Sequence, residues 1–214
     1  PDPRIAPMST TIVVLITVST MPANLLLWSC IAYLLGSVSF AVLISRLRHL
    51  PDPRRLGSGN PGASNMLRLG NRSLALATLI GDLGKGLLAV WLARHAELSL
   101  AYQGWVGLAA VCGHVLPIFH RLQGGKGVAT AAGVMLILAW PAALLAALVW
   151  LLAFYWQRMA SLASLLASLS LLPWLAWQAP QLLIPVALMV SLILLRHRVN
   201  IGRLINGQET RFKP

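Results

Sequence analysis

Charge is scarce in this sequence. Asp2, Asp52, Asp82, Glu97 and Glu209 are its only acids, and charged residues make up 10% of the 214. A soluble domain carries nearer ~25% charged residues, so a water-exposed globule is excluded. Cysteine is almost as rare. Cys30 and Cys112 sit far apart in apolar runs, which excludes a disulfide framework and a cysteine metal site and leaves both as packing residues. No internal repeat or low-complexity tract is present. The GxxxxGK spacing of a nucleotide-binding loop is missing too: His120 stands where its first glycine should be, and Gly127 replaces the Ser/Thr.

What fills the sequence is apolar. Hydrophobic residues account for 57%, in several runs approaching the ~20 residues that cross a bilayer as helix. The expected fold is all-α and integral to a membrane, a single polytopic domain over residues 21–214. Residues 1–20 form an N-terminal extension of separate status. Their Ile5–Thr20 stretch is short and rich in Thr and Val, and Met21 reads as a natural start. Net charge is +12. Because the basic residues cluster between apolar runs, orientation, anionic lipid and anionic substrates explain them better than nucleic acid does.

The apolar pattern predicts spans over Ala23–Arg46, Ser73–Ala93, Ala101–Ile118, Ala160–Trp177 and Leu182–Leu195. Val128–Trp156 is long enough for one kinked helix or for two split near Pro141. Charge decides between them. With a split there are seven spans, and 14 of the 17 basic residues fall on one side, leaving Lys85 within a span, Arg94 opposite and Arg4 in the extension. An excess of Lys and Arg marks the cytoplasmic side. The expectation is therefore a seven-helix bundle with its N-terminus outside, its tail in the cytoplasm and its glycine-rich loops together at the cytoplasmic face.

Those loops carry the chemistry. Gly57-Ser58-Gly59-Asn60-Pro61-Gly62-Ala63-Ser64-Asn65 supplies backbone that can approach a ligand without a Cβ in the way. Asn60 and Pro61 read as N-cap and first residue of a helix, whose free amides suit a phosphate; a plain polar loop between spans is the other reading. Gly124-Gly125-Lys126-Gly127 opens directly into an apolar helix, so an ammonium and free amides can converge on an anion, or the segment is only a basic turn.

Asp82 and Lys85, three residues apart within a span, either satisfy each other or line a polar cavity. His114 lies where the third span nears the cytoplasmic face, a position that suits a hydrogen-bonded structural residue. His197 and Asn200 share a face if the last helix continues through them. Glu209 reads as the structural partner of Arg203, Arg211 or Lys213.

Taken in order, Gly36-Ser37, Arg54, GSGNPGASN, Asp82 with Lys85-Gly86, GHVLPIF, QGGKGVAT and RHRVNIGRLINGQE resemble the bacterial acyl-phosphate:glycerol-3-phosphate acyltransferase family, from about Ala32 to Phe212. Ser64 stands where threonine is common, Ser39 follows Val38 where Pro or Thr is usual, and the linker His49–Pro53 is slightly longer. The resemblance implies an enzyme of phospholipid biosynthesis in the bacterial cytoplasmic (inner) membrane. It implies transfer of an acyl group from acyl phosphate to the 1-hydroxyl of glycerol 3-phosphate, releasing phosphate and lysophosphatidic acid. No metal or cofactor is called for.

On this reading Ser37, Lys126, His197 and Asn200 are catalytic. Arg54, Gly57, Ser58, Gly59, Asn60, Gly62, Ser64, Asn65, Lys85, His114, Gly124, Gly125 and Gly127 bind substrate, and Asp82 and Glu209 are structural. Lys126 and its neighbouring amides take the acyl phosphate while Ser37 donates a hydrogen bond. The first glycine loop holds glycerol 3-phosphate, and His197 with Asn200 orients or deprotonates the hydroxyl. The competing class is a membrane transporter of organic phosphates. It uses the same basic loops and the Asp82–Lys85 pair, but transporter sites usually lie near the midplane rather than at one face.

Overall fold

Apolar surroundings leave the backbone no water to bond to, so it must satisfy itself within helices. The computed structural model describes residues 23–212; the expected extension over residues 1–20 lies outside them. Among the described residues the chain is all-helical, with no strand. In order the helices are α1 (Ala23–Ser37), α2 (Phe40–Leu47), α3 (Ala63–Arg68), α4 (Arg72–His95), α5 (Leu100–Val115), α6 (Val128–Leu138), α7 (Trp140–Gln157), α8 (Ala160–Gln178), α9 (Leu183–Arg196) and α10 (Arg198–Ile205). Four are long and apolar enough to cross a membrane, and the bent pairs α1–α2 and α9–α10 raise the number to six. Helix α6 has 11 residues, about 16 Å of helix against a hydrocarbon core of ~30 Å.

The region predicted as one kinked helix or two resolves into two. The break falls at Ala139, whose φ of −155° and ψ of 74° end α6, and Pro141 follows in the first turn of α7, where its missing N–H costs nothing. Each of the other two bends has a side chain bonded to backbone beside it. Between α1 and α2, which diverge by 45°, Lys85 Nζ donates to the Val38 carbonyl at 2.6 Å. Between α9 and α10, bent by 63°, His197 folds its ring back so that Nδ1 meets the Ile193 carbonyl at 2.8 Å.

Glycines set which helices touch. At Gly36 a Cβ would strike the Ala110 carbonyl and at Gly113 the Tyr33 carbonyl, so α1 and α5 pack backbone to backbone. Gly86 against Thr130 and Gly133 against Leu83 do the same for α4 and α6. The main core then fills with Val90, Val111, Val134, Met135, Leu182 and Met189. Helix α7 packs on α8 but buries only Ala142 and Ala143, and its outer side presents Leu148, Leu151 and Trp156. An exposed apolar face of this kind suits lipid rather than water.

Polar contacts gather the loops at one end of the bundle. Arg54 reaches the His120 carbonyl, Lys126 reaches Asn200, Ser161 reaches Glu209, and the Phe212 amide bonds the Arg158 carbonyl at 2.8 Å. The guanidinium of Arg68 also lies 5.0 Å from the Phe212 ring centre. The ends that follow α2, α5, α7 and α9 therefore meet. Arg94 belongs to the far end, where it donates to the Ile137 carbonyl in the last turn of the short α6.

Candidate active site

Lys126 lies between two helices that close on it. It follows Gly124 and Gly125, whose carbonyls accept from Arg196 Nη2 at 2.7 Å and Nε at 3.2 Å. It precedes Gly127, which takes the left-handed φ of +86° that a glycine adopts without strain and then starts α6 with no side-chain cap. From this loop Lys126 Nζ donates to Asn200 Oδ1 at 2.6 Å. Asn200 Nδ2 donates in turn to Glu209 Oε1 at 3.0 Å, and Ser161 Oγ donates to the same oxygen at 3.0 Å. An ammonium can only donate and an ionised carboxylate only accept, so the amide is fixed with its oxygen towards Lys126. Burial pushes the Lys126 ammonium down to about 8, Arg68, Arg196 and Arg203 push the same way, and Glu209 opposes them.

Glu209 thus has a different partner from the one expected. In place of Arg203 or Arg211 it binds two neutral donors, because the tail turns inward after Gly207 and buries the carboxylate against α8 and α10; Lys213, the third expected partner, lies outside the described residues.

His197, 2% exposed, sits beside this chain of bonds. Its partner at Nδ1 is a carbonyl, which only accepts, so Nδ1 carries the hydrogen and Nε2 is left as the basic nitrogen. The shared helical face expected for His197 and Asn200 is interrupted by the bend at His197. The two side chains bond to different elements, α9 and the Lys126 loop.

The first glycine loop is held by its own residues. Asn65, 1% exposed, accepts at Oδ1 from the Ser58 amide at 2.8 Å and from the Ser58 hydroxyl at 3.1 Å. Its Nδ2 donates to the Pro53 and Leu56 carbonyls at 3.0 and 3.1 Å. All four hydrogen-bonding positions of the amide are used, so Asn65 shapes the loop. Gly57 shows why: φ is +57°, and a Cβ there would collide with Asn65 Oδ1. The helix predicted from Asn60–Pro61 starts instead at Ala63, because Gly62 is extended (φ −150°, ψ 167°) and serves as N-cap. Ser58, Gly59 and Ser64 are exposed, and Asn60 is half-buried.

Arg54 is gripped by Asp52, with Nη2 2.6 Å from Oδ2. The guanidinium hydrogen bond holds Asp52 down at about 2, so the pair stays ionised at any working pH.

Four sequence-predicted residues lie deeper. Ser37, fully buried, donates to the Tyr33 carbonyl at 2.8 Å and accepts from the Ile118 amide at 3.4 Å. Asp82 pairs with Lys85 at 2.9 Å, and His114 Nδ1 stands 3.6 Å from the same carboxylate oxygen. Residues the sequence did not single out also enter the site. Arg196 clamps the second glycine loop, Ser161 supports Glu209, and Phe212 meets Arg68. Of these only Arg196 left a sequence signal, by its place in the basic RHR run.

Comparisons with known proteins show the family and the fold. The family model for glycerol-3-phosphate acyltransferase matches residues 26–207. A glycerol-3-phosphate acyltransferase of Pseudomonas putida (strain GB-1) is 55% identical over 186 residues, covering 87% of this chain and 98% of that protein. Another, from Pseudomonas entomophila (strain L48), is 54% identical over 187 residues, covering 86% and 99%. Among solved structures, the glycerol 3-phosphate form of PlsY, an integral membrane glycerol 3-phosphate acyltransferase, superposes with a TM-score of 0.84 at 37% identity, covering 89% of this chain and 96% of that one. Its lysophosphatidic acid form gives 0.82 at 36% identity over the same shares.

Proposed function

The chain belongs to the glycerol-3-phosphate acyltransferase family, and from that membership we propose how its loops divide the reaction. The protein is an acyltransferase acting on glycerol 3-phosphate and forming lysophosphatidic acid. Acyl phosphate is the donor in this reading. The transport alternative is overturned by relatives and structures that are acyltransferases.

The observation that carries the division of labour is the Lys126–Asn200 bond, which joins the second glycine loop to the last helix. Both substrates carry phosphate, so two anion sites are needed near one point. Lys126 and the uncapped start of α6 take the phosphate of the donor, with Arg196 keeping the loop in shape. The first glycine loop, braced by Asn65 and Arg54, takes glycerol 3-phosphate through its exposed Ser58, Gly59 and Ser64 and the half-buried Asn60. Ser37 and Asn65, whose polar atoms are occupied, act by fixing backbone.

An acyl phosphate is already activated, so no covalent enzyme intermediate is required. The 1-hydroxyl oxygen attacks the acyl carbonyl carbon, a C–O ester bond forms, and the carbon–oxygen bond to phosphate breaks. The hydroxyl proton passes to His197 Nε2 or to the departing phosphate. The protein contributes positioning and stabilisation of the developing oxyanion.

Seven crossings fit this chemistry. The ends after α2, α5, α7 and α9 meet in hydrogen-bonded contact, which supports a path in which α6 leaves that end and α7 returns. The short α6 then counts as a crossing, shielded by neighbours rather than lipid. The shared end carries most of the basic residues and faces the cytoplasm of a bacterial inner membrane.

Purified protein in detergent, given a long-chain acyl phosphate and glycerol 3-phosphate, should release phosphate and lysophosphatidic acid in equal amounts. No second compartment is needed. Product formed only from an acyl thioester would overturn the choice of donor.

A further inference from the structure

We infer that Phe212 is a positioning residue for Asn200: it pins the tail that carries Glu209, and Glu209 holds the amide. This rests on the reading that Asn200 works in the reaction. After Gly207, which takes a left-handed φ of +67°, the tail runs without helix to Phe212. Glu209 is buried and Phe212 half-buried, whereas Gln208, Thr210 and Arg211 are exposed. The tail therefore has two inward anchors three residues apart. Glu209 Oε1 accepts from Asn200 Nδ2 and Ser161 Oγ, both at 3.0 Å, while Oε2 is buried with no partner among the described residues. A buried carboxylate with only neutral donors and one unsatisfied oxygen gains by swinging out into water. Its place therefore depends on the second anchor.

Phe212 is held through both backbone and ring. Its amide donates to the Arg158 carbonyl at 2.8 Å, at the turn where Arg158, with φ of +55°, ends α7. Its ring meets Phe154 edge to face with centroids 5.6 Å apart, and Phe154 stacks in turn on Trp150 at 4.9 Å. Trp150 Nε1 donates to Ser164 Oγ at 3.1 Å, so this aromatic row is fixed to α8. The guanidinium of Arg68, from α3, lies over the Phe212 ring at 5.0 Å from its centre. The ring thus joins α3, α7 and the tail. Through Glu209 that junction fixes the Asn200 amide, whose oxygen meets Lys126.

The test is a double-mutant cycle on kcat/KM, read on folded, monodisperse protein in detergent. Phe212→Ala should lower kcat/KM about 10- to 100-fold, the size a misplacement near 1 Å produces. Phe212→Tyr, which keeps the ring, should stay near wild type. In an Asn200→Ala background Phe212→Ala should cost at most about twofold more, because the amide it positions is gone. Equal fold losses in both backgrounds would overturn the inference. If Asn200→Ala turns over too slowly to measure, the two Phe212 variants decide, and like values for both overturn it. If Phe212→Ala does not fold, Phe154→Leu, which takes away the ring Phe212 meets, should lose activity instead, and kcat/KM equal to wild type overturns it. Asn200→Ala also separates the premise: near-normal turnover there sinks the reading of Asn200, whereas an impaired Asn200→Ala beside an unimpaired Phe212→Ala sinks only the role of Phe212.

Discussion

Lys126 and Asn200, 74 residues apart in sequence, meet at 2.6 Å. The contact ties an ammonium from the second glycine loop to an amide whose other end is held by Glu209. Lys126 therefore arrives oriented, and little side-chain freedom is left to lose when an anion binds.

Titration of Lys126 follows from its burial. The amine sits at about 8 rather than its ordinary 10.5, so it is mostly charged at neutral pH and loses its proton as pH passes about 8. Because kcat/KM reports the free enzyme, kcat/KM for the donor should fall through that range. Lys126→Arg should move the fall to higher pH. Stability moves the opposite way: between about 8 and 10.5 the unfolded chain holds the extra proton, so this group favours folding more as pH rises. A donor kcat/KM flat to pH 9.5 would remove Lys126 from donor binding.

Asn65 gives a stability prediction. Asn65→Ala leaves the Ser58 amide and the Pro53 and Leu56 carbonyls without their partner, at about 1–3 kcal/mol for each buried orphaned group. Thermal unfolding in detergent should shift down, and the KM for glycerol 3-phosphate should rise as the loop loosens. Asn65→Asp keeps the acceptor but sets a carboxylate oxygen against the Pro53 and Leu56 carbonyls, so it should not rescue the loss. An unshifted unfolding curve for Asn65→Ala would show that the loop is held elsewhere.

His197→Ala separates two ways of moving the proton. If Nε2 takes it, kcat should drop by roughly 10²–10⁴-fold with a smaller change in KM, the usual range for general acid–base assistance. Near-normal turnover in folded protein would leave the departing phosphate as the base. Steady-state kinetics with both substrates varied distinguishes the outcomes.

The spans were legible because hydropathy is local: each predicted run contains a helix with ends shifted by a few residues. The bends were not. The break at Val38 depends on Lys85, 47 residues away, and the break at His197 on a ring turning back to Ile193. Motif residues could be picked out by type, yet their work is decided by partners that only the fold brings near. Asn65 carries an amide that suits a ligand, and it is consumed by Ser58, Pro53 and Leu56. Glu209 lies among arginines in sequence but beside Asn200 and Ser161 in space. The helix start was misplaced because Gly62 caps α3 better in extended backbone than Asn60 does two residues earlier.

The last prediction concerns α6, which decides the number of crossings. Its 11 residues fall short of a bilayer, yet Lys126 at its start meets Asn200, and Arg158 after α7 bonds the amide of Phe212. If α6 descends from the shared end and α7 climbs back, the loop at residues 47–72, the loop at 121–127 and the tail lie on one side of the membrane. A cytoplasmic reporter fused after Pro214 should be active, as should one inserted beside Arg55, and a reporter beside Glu97 should respond only from outside. A single cysteine at Arg121 in a Cys30→Ala, Cys112→Ala background should resist a membrane-impermeant thiol reagent in intact cells and react once they are opened. A tail reporter on the outside would separate Asn200 from the loop bearing Arg54 and break the proposed site. All four positions reading as expected would require α6 to cross, with Arg94 capping its far end at Ile137.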